Sequence, residues 1–380
     1  MARLVLALNY YAPYVSGLTN VARDIAEGLA GRGHDVTVVT SRHDASLPLE
    51  EIREGVRIVR TPVLLRVGKG VVSPSFIPTV VREARTADVV NLHLPMLEAG
   101  PLVRAIRRSS GAAIVPTYHC DVALPPGFVN AVQQRAIDAS SRAAVRAADA
   151  VVVTSDDYAD ASRLRGDLTA RRVVIPPGCH DRSGGEPTLR ETAGLHVGFL
   201  GRLVEEKGIE YLVQGFSRLE DPDARLLIAG DFAAVAGGSV IERVRAAIGG
   251  DDRIRVLGFL PDDRICDFYA SLDVFALTSV NSFEAFGIVQ VEAMMTGVPA
   301  LVSDLPGVRQ PALATGFGVI VPPRDAAGIA AGLEELMTLD VDRAALGARA
   351  AELYGLPTVL DRYEELVDRL TAERAGRSAR

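Results

Sequence analysis

A chain of 380 residues is too long for one ordinary core and about right for two domains, and 48% apolar with 23% charged residues fits a folded globular protein rather than a disordered one. The formal net charge of −7 argues against nucleic acid as a partner. Cys120, Cys179 and Cys266 are odd in number and far apart, which excludes a disulfide framework or a zinc ribbon, and the absence of tryptophan argues against a tryptophan-lined carbohydrate-binding module.

Short β-branched runs alternate with helical stretches along the whole chain, the pattern of βαβ units around parallel sheets. Strands are predicted at residues 4–8, 36–40, 56–60, 89–92, 113–118, 150–154 and 173–175, then at 195–200, 225–229, 254–257, 274–277, 300–303 and 318–321. A helix is expected to open near Gly17, another near Pro125, and a third over residues 287–296, stopped by Gly297 and Pro299. The fold class is α/β, with two Rossmann-like doubly wound parallel-sheet domains. The strongest cluster of turn formers, 176–187, places the boundary, giving domains at 1–183 and 184–356. Residues 357–375 read as one amphipathic helix and 376–380 as a frayed end.

Charge divides unevenly: residues 1–185 hold 22 basic against 18 acidic side chains, residues 186–380 hold 19 against 30. The mildly basic first half suits an anionic acceptor or a membrane surface, and equally a plain solvated face. The run at 4–9 is too short for a signal peptide and no apolar run approaches a membrane span. The expectation is a cytoplasmic protein, with peripheral contact at the inner membrane surface as the variant of that expectation.

In open parallel sheets, ligands bind beyond the carboxyl ends of strands, where helix N-termini present free amides. The loop Gly201-Arg202-Leu203-Val204-Glu205-Glu206-Lys207-Gly208 follows a predicted strand, and its lysine is one of only two in the chain, the other being Lys69. The arginine bias elsewhere fits a GC-rich genome. Arg202 can fork onto phosphate oxygens and Lys207 can add a compact charge, together neutralising a diphosphate; a surface Arg and Lys beside a strand is the plain alternative. No Gly-Lys-Ser/Thr follows, so the loop is not a P-loop, and no Gly-x-Gly-x-x-Gly follows the first strand, which argues against a dehydrogenase.

Glu284 and Glu292 stand eight residues apart around Phe286-Gly287-Ile288. A helix beginning there would aim its first amides at an anion, with Glu284 in the preceding loop and Glu292 a turn or more inside; for Glu292 a partly buried carboxylate paired with an arginine is the alternative. Gly17 could admit a phosphate close to the backbone, or simply shape a βα turn. His93 and His119 follow predicted strands and could hydrogen-bond a sugar hydroxyl or transiently take a proton, a half-buried polar residue at a strand end being the plain alternative. Asp121, two residues on, could act on an acceptor hydroxyl or cap the helix near Pro125.

Together, the Gly17 loop, His93, His119, Arg202 with Lys207 and Gly208, the Glu-x7-Glu segment from Glu284 to Glu292, and Ser303-Asp304-Leu305-Pro306-Gly307-Val308 resemble the retaining glycosyltransferases of family 4. The likeness spans nearly the whole chain and implies the GT-B architecture, two such domains facing across a cleft. It implies an acceptor-binding first domain, a nucleotide-sugar-binding second domain, and a last helix that crosses back to the first. It further implies that Arg202 and Lys207 hold the donor diphosphate and Glu292 the ribose. Glu284 with the amides of Phe286, Gly287 and Ile288 would hold the hexose. His119 would touch the donor sugar near its reacting face, and Gly17 would close on the phosphate. His119, Glu284, Arg202 and Lys207 would thus form the catalytic set, with His93 and Asp121 on the acceptor side.

Such enzymes retain anomeric configuration, need no divalent metal and no cofactor, and let the leaving phosphate take the acceptor's proton. The expected reaction moves a hexose from a nucleoside-diphosphate sugar, a UDP-sugar before GDP-mannose, to a hydroxyl of a small-molecule or lipid-linked acceptor. Loops 66–78 and 120–129 are expected to shape the acceptor site. The family commonly has two consecutive glycines in the first loop, and here the first is Ser16. Two competing readings share the architecture: a nucleotide-sugar epimerase, which would convert donor alone, and a binding protein that has lost transfer.

Overall fold

The computed structural model describes residues 1–67, 70–124, 127–232 and 239–378. Lys69, Pro125, Pro126 and the last two residues of the expected frayed end lie outside them. The chain forms two compact units, Met1–Gly178 together with Leu356–Arg380, and Cys179–Gly355.

The first unit holds β1 (Arg3–Ala7), β2 (Asp35–Arg42), β3 (Glu50–Arg53), β4 (Val56–Pro62), β5 (Leu65–Val67), β6 (Gly70–Val72), β7 (Val89–Leu94), β8 (Ala113–Tyr118), β9 (Val151–Val153) and β10 (Arg172–Val174). Eight of these make one sheet in the order β10-β9-β8-β7-β1-β2-β4-β3, parallel except for β3, while β5 and β6 form a separate antiparallel hairpin. Both β7 and β8 are buried along their whole length, as a sheet covered on two faces requires. Asn91 and His93, two residues apart, are therefore polar groups on one face of a buried strand. The Asn91 amide donates to Val115 O at 2.6 Å and to Thr117 Oγ1 at 2.9 Å.

Three features of this unit differ from the sequence expectation. β3 has no apolar face to betray it: it is held at the sheet edge by Glu50 to Arg57 and Glu51 to Arg60, each at 2.6 Å, and its charges discourage further pairing. Loop 66–78 is not irregular throughout, because it contains most of the β5–β6 hairpin and the start of the helix Phe76–Ala84. The helix expected near Pro125 is Phe128–Arg146, with Gly127 as its cap, so Asp121 does not cap it.

The second unit is a six-stranded parallel sheet of β11 (His196–Leu200), β12 (Arg225–Ala229), β13 (Ile254–Gly258), β14 (Val274–Leu277), β15 (Ala300–Ser303) and β16 (Gly318–Val321), in the order β13-β12-β11-β14-β15-β16. Chain order reverses beside β11, as it does beside β1 in the first unit, and each reversal opens a crevice at the carboxyl ends of the strands. The two ends of this unit meet: the Cys179 amide donates to Tyr354 O at 2.9 Å, and Cys179 bridges Gly355. That pairing puts the division at Gly178 rather than at 183.

The last helix, Leu356–Ser378, packs in the first unit, where Val359, Leu360, Tyr363, Leu366, Val367 and Leu370 are buried. Arg32 fastens it by donating to Asp361 at 2.7 Å, to Pro357 O at 2.9 Å and to Glu364. Among the described residues no helix is long and apolar enough to cross a membrane.

Candidate active site

In the second unit, the chain leaves β11 into a short turn at Glu205–Lys207 and leaves β14 into the loop before the helix Ile288–Met295. These neighbouring loops are tied together: the Val280 amide donates to Glu206 O at 2.9 Å, and Thr278 Oγ1 donates to Lys207 O at 3.3 Å. Gly208 has a φ of +62°, and a Cβ there would lie 2.3 Å from Thr278 O, so only glycine allows this approach. The consequence is that Lys207 Nζ reaches Glu284 and bonds it, each side chain 16% exposed.

Arg202 is not part of that contact. Its side chain is 53% exposed, with the guanidinium 3.5 Å from Glu206. Gly287 begins the next helix at a φ of +83°, where a Cβ would strike Leu277 Cδ2 at 2.3 Å. The buried Gln290 pins this turn, donating to Phe286 O at 2.6 Å and Val308 O at 2.8 Å. Phe286 itself is buried edge-on to Tyr354, while the amides of Ile288 and Val289, ahead of the Gln290 amide that bonds Gly287 O at 3.1 Å, have no partner within the helix.

Glu292, 7% exposed, already has partners on the inner side of this helix. Its carboxylate takes Arg182 Nε at 3.4 Å and the Tyr269 hydroxyl at 3.1 Å, and Arg182 also donates to Asp262 at 2.9 Å. Burial pushes the Glu292 carboxyl up, against the pull of Arg182. Arg182 is the residue that sequence reading missed, because it lies among the turn formers of the linker and has no motif around it.

In the first unit, Gly17 is the first residue of the helix Gly17–Gly31 and Ser16 is its N-cap. Ser16 Oγ accepts from the Thr19 amide at 3.2 Å and the Ser16 amide donates to Thr19 Oγ1 at 2.8 Å, a reciprocal cap. The hydroxyl at the position of the family's first glycine is thus already engaged. A Cβ on Gly17 would meet nothing within 4 Å, so packing within the chain does not require glycine there.

His93 does not follow a strand; it lies inside β7 and is 1% exposed, which leaves it no face to offer an acceptor. Its ring stacks on His119, the first residue after β8, with Nδ1 of His93 2.9 Å from Nε2 of His119. The His119 amide is fixed by Leu94 O at 3.1 Å. Burial pushes both imidazoles down, His119 to about 4 and His93 well below its ordinary 6.5, so both are neutral at pH 7.

Asp121 is likewise occupied. Its carboxylate accepts from Tyr118, from Ser162 Oγ at 2.8 Å and from the Arg163 amide at 3.1 Å, and its own amide donates to the Tyr158 hydroxyl at 2.8 Å. It knits the loop after β8 to the segment around Ser162 instead of presenting a free carboxylate to an acceptor.

Two doubly wound units, each with polar residues gathered at a reversal of strand order, define the GT-B class of protein. Anabaena HepE in complex with UDP-glucose has this fold, with a TM-score of 0.71 at 19% identity over 97% of this chain and 100% of that one. Residues 188–353 match the family described as glycosyl transferases group 1, and residues 16–178 match the glycosyl transferase 4-like domain. The chain belongs to the group 1 glycosyltransferases. It is 29% identical to the D-inositol 3-phosphate glycosyltransferase of Xylanimonas cellulosilytica over 88% of this chain and 87% of the relative. It is also 29% identical to the 2-deoxystreptamine N-acetyl-D-glucosaminyltransferase of Streptomyces fradiae, over 95% and 94%.

Proposed function

We propose that this glycosyltransferase moves a hexose, with retention of anomeric configuration and without a metal or other cofactor, from a nucleoside-diphosphate sugar to a hydroxyl of a small polyol acceptor. A UDP-sugar is the first donor to test and GDP-mannose the second. The observation that carries the reading is the Lys207–Glu284 pair, held across the point where the strand order of the second unit reverses. The names of the two relatives support the acceptor class, since inositol phosphate and 2-deoxystreptamine are both ring polyols.

In this reading the donor exchanges partners on arrival. A diphosphate replaces Glu284 on Lys207, Arg202 swings from its loose contact with Glu206 to the same phosphate, and Glu284 becomes free to take a hexose hydroxyl. The first amides of Ile288–Met295 add the positive end of a helix. Glu292 keeps Arg182 and Tyr269 and turns its remaining lone pairs to the ribose. Gly17, whose missing side chain no packing explains, leaves the start of the first unit's opening helix clear for an anion. Rupture of the sugar–phosphate bond builds negative charge on the diphosphate and positive charge on the sugar, so fixed cations there stabilise the transition state more than the ground state. The departing phosphate oxygen accepts the acceptor's proton on the same face. A lipid-linked polyol with contact at the membrane surface is the extension to test after soluble acceptors.

The test begins with thermal shift against UDP-glucose, UDP-N-acetylglucosamine and GDP-mannose, since a ligand at 100 times its Kd stabilises the folded state by about 2.7 kcal/mol. The stabilising donor is then incubated with inositol phosphate and 2-deoxystreptamine in chelator, and the product's anomeric carbon is read by NMR. Transfer with retention is expected. An inverted product, a requirement for added divalent metal, or conversion of donor alone overturns the reading.

A further inference from the structure

The pair of buried histidines shares one proton between two facing nitrogens, and which ring owns it decides what His119 can do. Among the described residues, the one hydrogen bond to the His119 ring comes from His93, through Nε2. On the far side of the pair, Nε2 of His93 is buried with no partner among the described residues. In a neutral imidazole one nitrogen donates and the other accepts. If His119 donated from Nε2, His93 would accept at Nδ1 and carry its own proton on the partnerless Nε2, leaving a buried N–H orphaned. If His93 donates from Nδ1, the orphan is only a lone pair. Buried N–H groups without partners are rarer than under-used acceptors, so the second arrangement is favoured.

We infer that His93 is a positioning residue which donates its Nδ1 proton to Nε2 of His119 and so locks His119 in the Nδ1–H form, presenting an N–H donor, not a lone pair, at the carboxyl end of β8. The inference rests on the proposed transfer reaction only for what that donor meets: a hydroxyl or phosphate oxygen of the sugar donor, which accepts, and not a group whose proton His119 would have to remove. His119 then acts as a fixed hydrogen-bond donor and never as a base. Three features of the chain supply the lock. Asn91, on the same face of the strand as His93, spends its amide protons on Val115 O and Thr117 Oγ1, the Leu94 carbonyl fixes the His119 backbone, and the stacked rings, 5.1 Å apart and 17° from parallel, leave little room for a ring flip. Burial keeps both rings neutral, so a second proton does not blur the choice.

The experiment uses the full chain labelled with nitrogen-15 in its six histidines, assigned by single substitutions. In the free protein His119 is expected to show a protonated Nδ1 and a bare Nε2, and His93 the same. A protonated Nε2 on His119 overturns the inference whatever the activity. The substitution series then separates positioning from mere packing. His93→Asn keeps an amide donor close to where the Nδ1 proton sits, and is expected to recover most of the turnover that His93→Leu loses. That loss is expected to be about 10- to 100-fold in kcat with little change in KM for the donor, by analogy with second partners of ligating histidines. His93→Asp replaces the donor by an acceptor and is expected to move the His119 proton to Nε2 in the spectrum. Equal kcat in the Asn and Leu variants, both folded, overturns the inference. Failure of the wild type to use any nucleotide sugar sinks the transfer reading instead, and leaves the nitrogen spectrum to decide this one.

Discussion

The two units share a topology and solve the placement of polar groups in opposite ways. In the first, the groups at the strand reversal are neutral and desolvated: two imidazoles pushed down by burial, beside a carboxylate already saturated by Tyr118, Ser162 and Arg163. In the second they are charged and held in opposite-sign pairs: Lys207 with Glu284, Arg202 with Glu206, Arg182 with Glu292. A neutral donor can orient a hydroxyl without competing for the phosphate, while a pre-paired cation can exchange its partner for an anion at small electrostatic cost. The same layered architecture therefore carries two chemistries, set by a few side chains at the ends of its strands.

The harshest test of this contrast is Arg182→Met. It strands the Glu292 carboxylate, buried beside Tyr269 without its cation, and is expected to cost about 3 kcal/mol in urea unfolding, as breaking a buried pair does. A loss under about 0.5 kcal/mol would mean the pair behaves like a surface contact. Lys207→Ala is expected to remove about 2 to 4 kcal/mol of transition-state stabilisation while leaving the fold intact. Full turnover in that variant, with an unchanged melting curve, would dissolve the distinction between the units.

Acid sharpens the first-unit side of the contrast. His119 has a folded value near 4 against an ordinary 6.5, so the unfolded chain binds more protons in between. Its share of stability is complete above about pH 6.5 and is lost as pH falls towards 4, about 3 kcal/mol in all, with His93 acting in the same direction. Glu292, raised by burial, opposes this just above its ordinary 4.5, so the informative quantity is the difference between wild type and His119→Asn. Parallel stability profiles of the two proteins from pH 7 to 4 would show that the imidazole is not buried neutral. The smallest expected effect is at the helix cap: Ser16→Ala should cost about 1 kcal/mol and Ser16→Gly only a few tenths, read from the midpoint of thermal unfolding.

Much of the architecture was legible because parallel strands buried on both faces read as near-continuous apolar runs, as 113–116, 226–229 and 300–302 do. Edge strand β3 was not, since Glu-Glu-Ile-Arg is stabilised by cross-strand charge and shows no alternation. The residue types of the second-unit site could be read, and the helix start at Gly287 with them, but not that Lys207 would bind Glu284 directly, because loop closure between β11 and β14 depends on contacts such as Val280 to Glu206. His93 was misplaced by two residues of strand: Asn91 and His93 look like a strand's end until the Asn91 amide is seen bonded to Val115 and Thr117. Asp121 and Arg182 have partners more than 40 residues away in the chain, and no local pattern announces such pairs.

The route of the chain through its two units has a further consequence for how the molecule is made. The sheet of the first unit is made before the 179–355 unit, yet it gains the helix Leu356–Ser378 only after that inserted unit has all of its strands. The half that is born first is therefore finished last, and a stop after residue 355 would leave a complete 179–355 unit tethered to one that lacks the helix burying Val359, Leu360 and Tyr363 against it, an obvious substrate for chaperones and proteases.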